Sequence, residues 1–263
     1  MPRVPKVANE TASWNPIPDP EGHYSTGTAD FDRLIGGGFK RGSFALFEMS
    51  DTVGPEDIDL LFFPTLINFL YQSRGVLAVL PSVDSPHNFR SRMVRFVTRR
   101  RFDSRVRIVD YIGEDEGPAY VVSLKNMRPD PLRRSPINPK ELRKDIAKME
   151  AAEKAVQGQR KRSFLEFHAI EVLDTLVGGE KARKMYFSGV KRARAVHNLV
   201  IGLLAPGVEC AAAVRSMADT KFALRREEMG LIIQGLRPSF PSYVVTADLV
   251  AGPPHVAFVP SPS

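Results

Sequence analysis

The chain has 263 residues, 43% hydrophobic and 25% charged, enough at ordinary globular composition for one sizeable core with a small appendage; this excludes a disordered chain, a coiled coil and a staple-dependent miniprotein. Its longest apolar run, Leu60 to Tyr71, is interrupted by Pro64, Thr65 and Asn68 and is too short to span a bilayer. Met1 to Asn15 holds no apolar signal region, the single cysteine, Cys210, cannot form an internal disulfide, and a net charge of +7 favours an acidic partner. A soluble, cytoplasmic protein without membrane association is expected.

Pro2, Pro5, Pro16, Pro18 and Pro20 mark residues 1–23 as an extended surface segment. Beyond them, short runs rich in β-branched residues alternate with helical stretches, the pattern of an α/β fold with a mostly parallel sheet covered by helices. Strands are predicted at Ser43 to Met49, Gly75 to Leu80, Val106 to Val109, Ser163 to Ala169 and Asn198 to Leu204. An antiparallel finish is predicted through Thr220 to Leu224, Leu231 to Leu236 and Tyr243 to Leu249. Crossover helices are predicted at Pro55 to Ser73, Pro86 to Arg101, Pro139 to Val156 and Glu180 to Val196. The core thus runs over 24–250, with a tail at 251–263. Arg128 to Arg162, with eleven Lys or Arg against five Asp or Glu, reads as a solvated basic insertion between two strands.

The most specific string is His23 to Ser43, HYSTGTADFDRLIGGGFKRGS. Its three consecutive glycines and Gly42 permit a tight turn with positive φ just before a strand, and Asp32, Leu34 and Ile35 supply a helical turn leading into it. On Ser25, Thr26, Gly27, Asp32, Leu34, Gly36, Gly37, Gly38 and Gly42, matched in order and spacing, the chain resembles the KaiC and RadA-like branch of the RecA superfamily. Val76 to Pro86 resembles the second core strand of that branch and Phe164 to Gly179 its Walker B strand. Asn198 to Gly207 resembles the next strand, and Ala218 to Leu236 the late basic-acidic hairpin. The resemblance implies a RecA-like ATPase core over about 24–250 and assembly into rings or filaments, hence a homo- or hetero-oligomer.

Where that resemblance places the phosphate loop, the chain reads Ser50, Asp51, Thr52, Val53, Gly54, Pro55, Glu56. A phosphate loop needs glycine N–H groups, a lysine on the β- and γ-phosphates and a hydroxyl on Mg²⁺. By position the lysine falls on Pro55 and the hydroxyl on Glu56. Ser43 to Ser73 contains no Lys, Arg or His, against five acids: Glu48, Asp51, Glu56, Asp57 and Asp59. Pro55 suits the first position of a helix, and Glu56 and Asp57 complement its dipole, so the chain's own carboxylates take the place of a bound phosphate. The Walker B acid falls on His168, and the paired glutamates that include the water-activating base fall on Val83 and Asp84. No catalytic residue, cofactor or metal site is expected. Histidine spacing offers no ligand pair, and Ser50 and Ser82 lack a nucleophile motif.

Eight arginines between Arg90 and Arg107 face one acid, Asp103, with Phe89, Phe96 and Phe102 interleaved. Spacing 92, 95, 99 on one helix would present a shared basic face. Arg92, Arg95, Arg99, Arg100 and Arg101, with Arg133, Arg134, Lys161 and Arg162 of the insertion, are the candidates for binding a nucleic-acid backbone or a protein partner. A second basic run lies at Lys181, Arg183, Lys184, Lys191, Arg192 and Arg194. The favoured function is a non-catalytic, KaiC-like scaffold or regulatory subunit acting through protein contacts. The alternatives are a DNA- or RNA-binding module using the basic faces, and an ATP-binding RecA-like ATPase with an unconventional site or one completed by a partner, for instance by its lysine.

Overall fold

A computed structural model describes residues 14–111, 117–124, 139–158, 162–248 and 255–261. Two short strands, β1 (His23–Tyr24) and β2 (Phe39–Lys40), flank helix α1 (Ala29–Leu34) and pair with each other. The main sheet contains β3 (Phe44–Met49), β4 (Val76–Val79), β5 (Val106–Asp110), β6 (Val121–Ser123), β7 (Leu165–Ala169), β8 (Leu199–Leu204), β9 (Thr220–Glu227), β10 (Gly230–Arg237), β11 (Ser239–Asp248) and β12 (His255–Pro260). Their order is β12-β11-β10-β9-β3-β8-β7-β4-β5-β6. From β9 to β6 every neighbouring pair is parallel, and β9 to β12 form an antiparallel meander. This is the α/β architecture expected from the alternation of β-branched runs and helices.

Strand alternation sorts the core into two layers. Ala45 and Phe47 of β3 and Leu165 and Phe167 of β7 enter one, with helices α2 (Pro55–Tyr71), α3 (Pro86–Met93) and α4 (Arg99–Arg105). Phe44 and Leu46 enter the other, with α5 (Pro139–Gln157), α6 (Ile170–Val177), α7 (Gly179–Ala195) and α8 (Ala211–Met217). Helix α2 is buried from Leu61 through Leu70, which explains its apolar run: a helix covered all round has no polar face to show. Phe47, Phe62, Phe167 and Phe222 form a chain of ring contacts with centroids 4.6–5.4 Å apart, joining α2 to the sheet.

The glycine-rich string locks onto α2. The buried Asp32 carboxylate accepts from Ser25 Oγ (2.6 Å) and the Thr26 N–H (2.7 Å), and its carbonyl accepts from the Gly37 N–H (2.7 Å). Thr65 Oγ1 donates to the Thr26 carbonyl (2.6 Å). Gly27, at φ +78°, passes so close to α2 that a Cβ would lie 2.2 Å from the Pro64 carbonyl oxygen, whereas Gly36, at φ +82°, faces open space.

Four expectations change. Residues 14–22 are extended but not free: Trp14 is buried, and the Asn68 amide accepts from the Ile17 N–H (2.9 Å) and donates to its carbonyl (3.1 Å). The helix predicted over Pro86 to Arg101 is two helices, because Thr98 caps a new one by accepting from the Arg101 N–H (3.2 Å). The crossover helix predicted at Pro139 to Val156 is present, but it is not part of a wholly solvated insertion: Ala152 and Val156 lie in the core and Val156 closes on Gly75. His255–Pro260, predicted as tail, is the edge strand β12.

Gly27→Ala is expected to lose more than about 3 kcal/mol of unfolding free energy and Gly36→Ala about 1–2 kcal/mol, since both require a strained φ and only the first overlaps backbone. Urea midpoints of the two variants measure this; equal losses would refute the close approach.

Candidate functional site

The carboxyl ends of the parallel strands form one edge of the molecule, and the β3–α2 connection lies at its centre. Ser50 and Thr52 close the loop on itself: their hydroxyls are 2.7 Å apart and the Val53 N–H bonds the Ser50 carbonyl (3.3 Å). Pro55 opens α2, as its fixed φ and missing N–H suit that position. Asp57 then folds back so that Oδ2 accepts from the Gly54 N–H (3.0 Å), the reciprocal half of a capping box. The other Asp57 oxygen is clasped by the Arg226 guanidinium, while the Arg226 N–H bonds Thr52 Oγ1 (3.0 Å). Asp57 is therefore a buried carboxylate satisfied from two sides.

Two residues later, Asp59 meets Arg92 of α3, whose Nη2 also donates to Asp84 Oδ2 (2.6 Å) just beyond β4. The guanidinium thus bridges the second turn of α2 to the segment that follows β4. Burial pushes the Asp59 carboxyl from the usual 3.8 up to about 6, opposed by Arg92 and assisted by the neighbouring charges of Asp84 and Glu56. Burial lowers Arg92, but its hydrogen bonds to Asp84 and Asp59 and their charges outweigh this and raise it. Below this bridge, Pro55, Ile58, Leu80, Phe89 and Phe167 bound a cavity of only about 10 Å³, the space of one water probe. Glu48, at the end of β3, pairs with Arg215 of α8 (2.8 Å). Asp51 and Glu56 stay exposed.

His168 lies elsewhere. Phe167 faces the α2 layer, so the alternation of β7 turns Glu166 and His168 to the opposite face. There the imidazole stands edge-on to Tyr186 of α7, ring centroids 6.1 Å apart, with Nε2 3.6 Å from Glu166 Oε2. Glu166 is itself held by Asn198 Nδ2 (3.0 Å). Nearby Glu171 keeps one buried carboxylate oxygen without a partner among the described residues, and burial raises its carboxyl. Cys210 is raised to about 12 by burial and by Asp174, an unreactive thiol. Among the described residues no group of three or more His, Cys, Asp or Glu could hold a metal ion, and no helix is long and apolar enough to cross a membrane.

The arginine face is broken up by the helix break. Arg92 lies on α3, Arg95 in the connection and Arg99 at the start of α4, so the three do not share one helical face. Arg92 is taken by Asp59 and Asp84, and Arg90 by Asp103 (2.9 Å). Arg95, Arg99 and Arg100 are exposed, Arg101 covers the Tyr71 ring at 4.0 Å, and Arg162 donates to the Gln72 carbonyl (3.0 Å). Arg133, Arg134 and Lys161 lie outside the described residues. The bridging role of Arg92 and the clasp of Arg226 are the features that sequence reasoning missed. Arg226 carried a faint signal as part of a basic-acidic hairpin; Arg92 carried none that separated it from its neighbours.

Residues 13–141 match the family model described as GvpD basic region 2. The chain is 29% identical over 105 residues to protein GvpD1 of Halobacterium salinarum and 27% identical over 101 residues to protein GvpD2 of the same organism. These alignments cover 40% and 38% of this chain and 20% of each relative, so the match spans about a fifth of the length of the curated relatives. Among solved structures, a KaiC-like protein of Pyrococcus horikoshii OT3 superposes with a TM-score of 0.58 at 14% identity, covering 90% of this chain and 99% of that one. Together with the glycine-rich turn and the strand order, this likeness gives the chain a RecA-like fold of the KaiC type.

Proposed function

We propose that this chain is a non-catalytic RecA-fold protein, a pseudo-ATPase that serves as an oligomeric scaffold or regulatory subunit through protein contacts. The observation that carries the reading is the occupation of the β3–α2 connection by the chain's own ions. In a phosphate loop, N–H groups, a helix start and a lysine converge on an anion. Here Asp57 takes the Gly54 N–H, and the nearby arginines, Arg226 and Arg92, are spent on Asp57, Asp59 and Asp84. A triphosphate would meet exposed Asp51 and Glu56, and the chain supplies no Lys, Arg or His from 43 to 73. Asp84, tied to Arg92, has no positioned phosphate on which to act as a base.

A role in protein contacts is supported by the same edge of the sheet. Val83, after β4, is 79% exposed, and Met229, at the tip of the β9–β10 hairpin, is 52% exposed. Apolar side chains beside exposed carboxylates suit a protein partner better than a nucleotide.

Titration of the purified chain with ATP and Mg²⁺ is expected to leave its melting temperature unmoved. A ligand binding only the folded state at 100 times its Kd would add roughly 2.7 kcal/mol, and a shift of that size would overturn the reading. Light scattering tests the scaffold half: wild type is expected to form an oligomer that Val83→Asp with Met229→Asp dissolves, and a wild-type monomer at all concentrations would remove the homo-oligomeric form.

The ion bridge makes its own prediction. With the folded carboxyl of Asp59 above its unfolded value, the folded state holds a proton that the unfolded chain has released. Its contribution to stability is therefore full below about pH 4 and is lost as the pH rises through about 6. Asp59→Asn is expected to flatten the stability profile across that window in chemical denaturation; an unchanged slope would mean that Asp59 does not titrate there.

A further inference from the structure

We propose that Arg101, Arg105 and Arg162, gathered at the carboxyl end of α2, form an anion site for the phosphodiester backbone of a nucleic acid. The site lies at the opposite end of α2 from the β3–α2 connection and uses a different set of arginines from the helical face expected by spacing.

Two of the three guanidinium groups are fixed by the helix end itself. Arg105 Nη1 donates to the Ser73 carbonyl (2.6 Å) and Arg162 Nη1 to the Gln72 carbonyl (3.0 Å). Carbonyls at a helix terminus lack intrahelical donors and draw cations. Arg101 lies over the Tyr71 ring at 4.0 Å. A guanidinium stacked on an aromatic face keeps its N–H donors free to bind an oxyanion bidentately. Arg105 and Arg162 each spend one donor on a carbonyl and retain others.

Among the described residues no carboxylate pairs with this cluster, a lack it shares with Arg95, Arg99, Arg100, Arg107 and Arg237 but combines with contacts that fix it at the end of α2. Arg74, Arg90, Arg92, Arg194, Arg215 and Arg226 each pair with an Asp or Glu. None of Arg101, Arg105 and Arg162 does so among the described residues, and the acids in the region are committed, Asp103 to Arg90 and Asp19 to Arg74. The three are close enough that Arg105 is lowered by the charges of Arg162 and Arg101, after burial as the larger cause. Three partly buried cations without a counter-charge repel one another, and an oxyanion between them would remove that repulsion. Exposed Arg99 and Arg100 in the first turn of α4 continue the basic surface. A partly exposed cluster followed by two exposed arginines on the same helix suits the repeated phosphates of a polymer better than one small anion enclosed in a pocket.

The test is fluorescence anisotropy with a labelled duplex DNA and a labelled single-stranded RNA across a KCl titration. Wild type is expected to bind with a steep salt dependence. Arg101→Gln/Arg105→Gln/Arg162→Gln should weaken binding by at least about tenfold and reduce the slope of log K against log salt by about 2–3. Lys181→Gln/Lys184→Gln/Lys191→Gln on α7 removes the same charge and should change affinity by less than about twofold. Because Arg105 and Arg162 also hold the α2 carbonyls, Arg99→Gln/Arg100→Gln/Arg101→Gln, which among the described residues removes no side-chain hydrogen bond and only the Arg101–Tyr71 stacking, gives a second variant with the same expected direction and a small fall in melting temperature. Failure of wild type to bind either oligonucleotide, or equal losses in the α7 variant, would overturn the proposal. So would stabilisation of wild type by inorganic phosphate without oligonucleotide binding, which would assign the site to a small phosphoester.

Discussion

Burial of α2 from Leu61 through Leu70 is the constraint from which most of the structure follows. A helix covered on all sides must have its polar atoms satisfied from elsewhere in the fold, and each third of α2 recruits a different segment to do so. At its start, Asp57 and Asp59 bring in Arg226 of β9 and Arg92 of α3. In its middle, Thr65 and Asn68 bind the carbonyl of Thr26 and the backbone of Ile17, pinning the glycine-rich turn and the extended residues before it. At its end, Arg105 and Arg162 meet the carbonyls of Ser73 and Gln72. The interruptions in the apolar run are therefore its points of attachment.

A RecA-like fold does not determine what occupies its central loop. The resident carboxylates serve a structural purpose: Asp57 supplies the reciprocal half of a capping box to the Gly54 N–H, and its second oxygen would be a buried, unpaired acceptor without Arg226. Removing the Arg226 charge would leave a carboxylate that is 2% exposed unneutralised, which explains why a residue of β9 reaches back over the loop. The same clasp ties the antiparallel meander to the start of α2.

Much of this was legible in the sequence because it depends on local rules. Every parallel strand of the core except the short β6 followed from apolar runs, and the glycine string announced its positive φ angles through three residues that no other side chain could replace cheaply. What stayed hidden depends on distant partners. The break between α3 and α4 comes from one capping hydroxyl, Thr98, in a stretch whose arginine spacing is compatible with a continuous helix. The edge strand β12 forms from a short apolar segment that gains its order only by pairing with β11. For the site, the shortage of basic residues before α2 was visible, but the cations that fill it arrive from residues 92 and 226. His168 shows the remaining difficulty: its position along β7 could be counted, but the face it would occupy depends on strand register.

The order of strands in the sheet also bears on how the chain can be divided. Between 13 and 141 the chain contributes β3, β4, β5 and β6, yet β3 and β4 are not neighbours: β8 and β7, both encoded later, lie between them. Phe44 is opposite Val200 on one side, and Ala45 is opposite Thr220 on the other. The stretch that matches the GvpD family model is thus a unit of sequence similarity without being a unit of folding. Its central strand has no neighbours in the sheet until residues 199–227 have been made, and loop closures of that length place this chain among slow-folding topologies. Fragments cut at the boundary of sequence similarity would expose both edges of β3, two rows of unpaired backbone groups flanked by phenylalanine, and so would aggregate where the intact chain folds.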